Sequence, residues 1–168
     1  GIMGLGAISH TVNPRLFIEQ LVYIMNHAED KILFVDLTFV PLIEALAAKL
    51  PTIKKYIILT DEAHMPATRL PNAHAYETWL AGADADFAWA SFDENTAAGL
   101  CYTSGTTGNP KGVLYSHRSN VLHSLMCNQP DVLGVDSSDS VLPIVPMFHA
   151  NAWAITFAVP MAGAGLVM

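Results

Sequence analysis

Thr103-Ser104-Gly105-Thr106-Thr107-Gly108-Asn109-Pro110-Lys111-Gly112 joins the strand-like run from Ala97 to Tyr102 to a second apolar run, Val113-Leu114-Tyr115. Gly105, Gly108 and Gly112 allow positive φ and a close approach of backbone to a ligand. Successive N–H groups in such a loop form an anion-binding nest. Thr103, Ser104, Thr106 and Thr107 add hydroxyls that can rotate towards phosphate oxygens. Lys111 adds a positive charge that a phosphate would neutralise. The combination reads as a polyphosphate cradle, since a plain surface turn needs neither the hydroxyls nor the lysine. It is not a Walker A loop, in which Ser or Thr follows the lysine at a helix start. Here Gly112 follows Lys111, and a strand follows Gly112. The dinucleotide fingerprint G-x-G-x-x-G is absent as well.

Upstream, Ile32-Leu33-Phe34-Val35 and Tyr56-Ile57-Ile58-Leu59 are continuous apolar runs, the pattern of strands buried on both faces. A helix is expected between them, from about Val40 to Leu50, stopped by Pro51. Strand, helix and strand at this spacing form a βαβ unit with parallel strands. Ahead of it, Asn13 and Pro14 suit the N-cap and first position of a helix whose apolar residues are Phe17, Leu21, Ile24, Met25 and Ala28. Residues 62–94 are irregular, with one short helix expected near Tyr76 to Leu80. Downstream of the loop, a helix is expected from Arg118 to Met126 with Ser116 or His117 near its cap. A strand from Val141 to Val145, a helix from Ala150 to Val159 and a strand from Gly165 follow. The expected fold is α/β, with a mostly parallel sheet and flanking helices, divided into a βαβ portion over 1–95 and a phosphate-loop portion over 96–168.

Composition narrows the classes. The 168 residues are 52% hydrophobic and 14% charged, which excludes disorder as the main state. Two cysteines, Cys101 and Cys127, do not make a disulfide scaffold, and a reducing, cytoplasmic setting is expected. Net charge is −7 without a Lys/Arg cluster, so no nucleic-acid partner is expected. From Ser140 onward there is no charged side chain, but Pro143, Pro146 and Pro160 interrupt the run and no membrane span is expected. The start, Gly1-Ile2-Met3-Gly4, lacks the basic region of a leader, and both ends read as cut. A piece of a longer protein would expose apolar faces, and oligomerisation or strand exchange between copies would cover them. No His-x-x-x-His or His-Glu-x-x-His pattern supports a zinc site, and Ser104 lacks a nucleophile elbow. Cys101 reads as strand packing, and Asp36 and Asp61 as solvated acids at strand ends.

The run from Tyr102 to Val113 resembles the AMP-binding signature of the adenylate-forming superfamily, which includes acyl-CoA synthetases, luciferases and peptide-synthetase adenylation domains. Pro146-Met147-Phe148-His149 resembles the superfamily's next core motif. Asn13-Pro14-Arg15-Leu16, Phe34-Val35-Asp36 and Ser116-His117-Arg118-Ser119 resemble the fatty acyl-CoA synthetase branch, so the likeness runs along the whole chain. It implies part of the large N-terminal domain of an AMP-forming acid–thiol ligase. Such enzymes use ATP, Mg²⁺ and coenzyme A to convert a carboxylic acid into an acyl-adenylate and then a thioester; a medium- or long-chain fatty acid fits the branch resemblance, and a shorter or sulfur-containing acid is equally compatible with the pocket residues.

By this resemblance, Thr103, Ser104, Gly105, Thr106, Thr107, Gly108 and Lys111 contact the β- and γ-phosphates, and Thr103 also lies near Mg²⁺. His149 flanks the acyl carboxylate and is the implied catalytic residue, while Phe148, Asn151 and Trp153 line the acyl pocket. The superfamily's tyrosine-glycine-x-threonine-glutamate segment, its ribose aspartate and its small C-terminal domain with the adenylation lysine do not occur in this sequence. The chain alone is therefore expected to be inactive. The alternative is a nucleotide- or phosphate-binding domain without catalysis. A kinase is disfavoured, because Asp93 and Glu94 are too weak a pair to hold its magnesium.

Overall fold

Tyr56, Ile57 and Ile58 are buried because their strand, β3 (Lys55–Ile58), is the centre of a parallel sheet. β2 (Ile32–Val35) pairs with one edge of it and β4 (Ala73–Ala75) with the other. This computed structural model describes residues 1–103 and 108–167. Their contacts form two compact units, Pro14–Ala88 and Gly1–Asn13 with Trp89–Met168. No helix among the described residues is long and apolar enough to cross a membrane.

In the Pro14–Ala88 unit, α1 (Ile18–His27) buries Leu21, Ile24 and Met25, and α2 (Val40–Leu46) buries Val40, Ile43 and Leu46. α3 (Tyr76–Ala81) follows β4 directly. Three expectations are corrected. α1 starts at Ile18 and not at Pro14, and its cap position is the extended, exposed Phe17. The buried stripe begins only at Leu21, so an earlier turn of helix would bury nothing. The second helix is shorter than expected, closing in a 3₁₀ turn at Ala47–Lys49. β2 is an edge strand, with only Val35 buried, whereas the centre of the sheet is covered on both sides.

Glu44 ties α2 to the segment before β4. Its carboxylate accepts the Arg69 amide at 2.6 Å and the Thr68 hydroxyl at 2.7 Å. The Arg69 amide, then the Thr68 hydroxyl, hold the Glu44 carboxyl below its ordinary range. A lowered folded value stabilises the native state fully above the ordinary glutamate range, and the gain is lost as pH falls through the folded value. Urea midpoints measured between neutral pH and the acid limit should therefore fall on acidification more steeply in the native protein than in Glu44→Gln. Parallel pH profiles would show that the ionisation of Glu44 adds nothing to stability.

In the second unit, β1 (Ser9–His10) runs parallel to β5 (Ala97–Thr103), and β6 (Lys111–Ser116) pairs with β5 antiparallel. α4 (His117–Cys127) is capped by Ser116, whose hydroxyl accepts the Ser119 amide at 3.1 Å. The expected strand over 141–145 is only β7 (Ser140–Val141), paired with β8 (Gly165–Leu166). Pro143 and Pro146 cannot donate to a ladder, which ends the strand early. The expected helix over 150–159 is two elements, α5 (Ala150–Trp153) and α6 (Ile155–Ala162). α5 is a left-handed turn, with φ between 46° and 60° from Ala150 through Ala154. Cys127, Ala154 and Ala158, joined by Phe157, form the small core beneath α4 and α6.

Candidate functional site

β5 leads into the glycine-rich segment and β6 leads out of it, with Thr103 and Lys111 as the last register pair. The Thr103 hydroxyl donates to the Lys111 carbonyl at 3.4 Å, so the two ends of the segment lie opposite one another. The pairing uses the Lys111 backbone and leaves its exposed ammonium able to turn towards a ligand. Gly108 is described and exposed. Ser104, Gly105, Thr106 and Thr107 lie outside the described residues.

Strand alternation sorts the side chains of this hairpin. Gly99, Cys101 and Thr103 share one face of β5, and their partners Tyr115, Val113 and Lys111 share that face on β6. The opposite face carries Leu100 and Tyr102, with Gly112 beneath them. A Cβ on Gly112 would come 3.1 Å from the Tyr102 ring and 3.3 Å from Leu100 Cδ1, so glycine gives those side chains room to cross β6 without shifting. Tyr102 also meets the His10 ring of β1, centroids 5.3 Å apart. Leu100, Tyr102 and the His10 ring thus lie on one face of the hairpin, while Gly99, Cys101 and Thr103 lie on the other, its front face.

The Pro146–His149 segment is fastened to that front face. Cys101 Sγ donates to Asn151 Oδ1 at 3.1 Å. The Thr11 hydroxyl, just past β1, donates to the Met147 carbonyl at 2.9 Å and lies 3.4 Å from Cys101 Sγ. A Cβ on Gly99 would approach Asn151 Nδ2 to 3.0 Å, so the missing side chain there makes room for the amide. Burial, and then the Cys101 thiol, push the Tyr115 phenol up. Cys101 and Thr103 are two residues apart on one face, about 7 Å along the strand. The anchored segment therefore lies within one side-chain step of the start of the glycine-rich segment.

Of the pocket candidates, His149 and Trp153 are exposed, with ring centroids 6.5 Å apart and tilted by 56°. Phe148 is half-buried. Asn151 is buried against β5 and does not face solvent. Between His149 and α6 the chain adopts the left-handed turn, a conformation costing about 1–2 kcal/mol per non-glycine residue. It persists because Asn151 and Ala152 are buried there and Asn151 is hydrogen-bonded. Nothing in the local sequence pattern marked Thr11 or Cys101 as part of the site. Their signal lies in the pairing of β1 with β5, which no short motif records.

Thr103 alone does not make a magnesium site. Magnesium takes an octahedral oxygen set, usually with carboxylates and substrate phosphates. No three His, Cys, Asp or Glu side chains cluster to hold a metal among the described residues. The residues present do not fit the ion by themselves.

The model of a family described as AMP-binding enzyme matches residues 1–168. The chain is 51% identical over 168 residues to a 3-methylmercaptopropionyl-CoA ligase of Ruegeria pomeroyi, covering 100% of this chain and 31% of that protein. It is 48% identical over 167 residues to a medium-chain-fatty-acid–CoA ligase of Ectopseudomonas oleovorans, covering 99% and 31%. Among solved structures, a red-emitting luciferase from Phrixothrix hirtus aligns with a TM-score of 0.82 at 23% identity, covering 98% of this chain and 40% of that one. The chain thus spans under a third of the length of these two curated relatives.

Proposed function

The chain belongs to the AMP-binding enzyme family, and from that premise we propose that the protein carrying it is an ATP-dependent acid–thiol ligase. A carboxylate oxygen attacks the α-phosphorus of ATP and pyrophosphate leaves, giving an acyl-adenylate. The thiolate of coenzyme A then attacks the acyl carbon, and AMP leaves. The observation that carries this reading is the β5–β6 hairpin, whose front face ends at Thr103 and Lys111 and also anchors the Pro146–His149 segment.

Within this reading, the segment from Thr103 to Lys111 cradles the β- and γ-phosphates. Its backbone N–H groups and hydroxyls supply donors, and Lys111 supplies charge where charge develops. His149, exposed at the end of its segment, orients the acyl carboxylate. Phe148 and Trp153 form the wall of the acyl pocket. The two bacterial relatives point to a medium-chain or sulfur-containing acid as substrate. Magnesium would be held chiefly by phosphate oxygens and by parts of the protein beyond this chain. A cytoplasmic location suits the free thiols of Cys101 and Cys127.

ATP–pyrophosphate exchange tests the proposal. The full-length protein, assayed over a panel of 3-methylmercaptopropionate and fatty acids of graded length, should exchange label with a subset of the acids. The 168-residue chain assayed alone should be silent. Nucleotide binding by the full-length protein without exchange on any acid would favour the non-catalytic domain and overturn the ligase reading.

A further inference from the structure

We propose that Asn151 is a positioning residue, and that with Gly99, Cys101 and Thr11 it forms a clasp that locks the acyl-side segment onto the phosphate-loop strand. The inference rests on the ligase reading above for its functional meaning but on separate geometry for its existence. Asn151 is 4% exposed, and its amide oxygen is taken by the Cys101 thiol at 3.1 Å. Its backbone has φ 52°, inside the left-handed turn that follows His149. Asparagine tolerates that conformation better than most residues, because its short polar side chain bonds locally. The Thr11 hydroxyl closes the other end of the clasp on the Met147 carbonyl. His149 lies between these two fastenings, at Met147 and at Asn151.

The clasp converts a costly turn into a fixed aim. Without Asn151 the left-handed turn loses its hydrogen bond to β5 and is free to relax towards ordinary backbone. His149 and Trp153 would then move relative to Thr103 and Lys111, although none of those residues is changed. A misplacement of about 1 Å at such a distance costs on the order of 10²-fold in rate.

The test uses Asn151→Ala, Gly99→Ala, Cys101→Ala and Cys101→Ser in the full-length protein. Two readouts are taken: acid-dependent pyrophosphate exchange, and amide hydrogen exchange over residues 146–154. Asn151→Ala should lower kcat by about 10²-fold while KM for ATP holds, and Gly99→Ala, which displaces the amide by only a few tenths of an ångström, should lower it less. Cys101→Ser keeps a donor for Asn151 and should recover most of what Cys101→Ala loses. Hydrogen exchange over 146–154 should rise in Asn151→Ala and Cys101→Ala and stay near the native rate in Cys101→Ser. A lower melting temperature with native kcat and native exchange over 146–154 would overturn the clasp. If Asn151→Ala fails to fold, the two Cys101 variants decide. A native protein with no exchange on any acid would sink the ligase reading alone, and the amide readout would still judge the clasp.

Discussion

Lys111→Ala lowers kcat/KM for pyrophosphate exchange in the full-length protein by about 10²–10³-fold, the usual consequence of removing one preorganised group from charge developing in a transition state. The substitution separates chemistry from folding unusually well. Lys111 is exposed, and its structural contact to Thr103 is made by its carbonyl, which alanine retains. The register of β5 with β6 also continues through Gly112 and Val113, so the hairpin should survive. Melting temperature should stay at the native value while activity falls. Lys111→Arg should recover only part of the loss, since a planar guanidinium does not replace a compact ammonium facing phosphate. Native kcat/KM in Lys111→Ala would remove the lysine from the phosphate site and leave the hydroxyls and backbone to carry it.

The same hairpin marks the limit of what sequence pattern reveals. The loop was legible because its chemistry is local: glycines, hydroxyls and a lysine adjoin in the chain. The buried run at Tyr56-Ile57-Ile58 was legible because a strand covered on both sides has no polar alternation. Ile32-Leu33-Phe34-Val35 looked equivalent yet lies at a sheet edge, since hydrophobicity alone does not say how many neighbours a strand has. The left-handed turn was illegible for another reason. Ala150, Ala152, Trp153 and Ala154 are ordinary helix residues, and tertiary contacts through the buried Asn151, Ala152 and Ala154 hold them at positive φ. The clasp needs Thr11 and Cys101 to meet across 90 residues of sequence, which follows from strand pairing and not from any motif. Contacts of this kind depend on strand pairing across the chain, which no run of adjacent residues records.

Stability in the Pro14–Ala88 unit should depend most steeply on the central strand. Ile57 is 0% exposed on β3, with β2 on one side and β4 on the other. Ile57→Ala removes buried methylene and methyl groups from a site with strands on both flanks, so the neighbours cannot close in fully. The expected cost is about 2–5 kcal/mol, the lost transfer energy plus the cavity left behind. Against a typical domain stability of about 5–15 kcal/mol, that is a large fraction. The corresponding fall in melting temperature is about 8–40 °C for a unit of this size. Ile57→Val, which trims one methylene group, should cost about 0.5–1.5 kcal/mol. Leu59 lies two residues along the chain but is 47% exposed, so Leu59→Ala should fall within about 0.5 kcal/mol of native. Thermal and urea unfolding of the three variants would rank them. Equal losses in Ile57→Ala and Leu59→Ala would mean that burial at the centre of β3 does not set the stability of this unit, because the two side chains differ chiefly in what surrounds them.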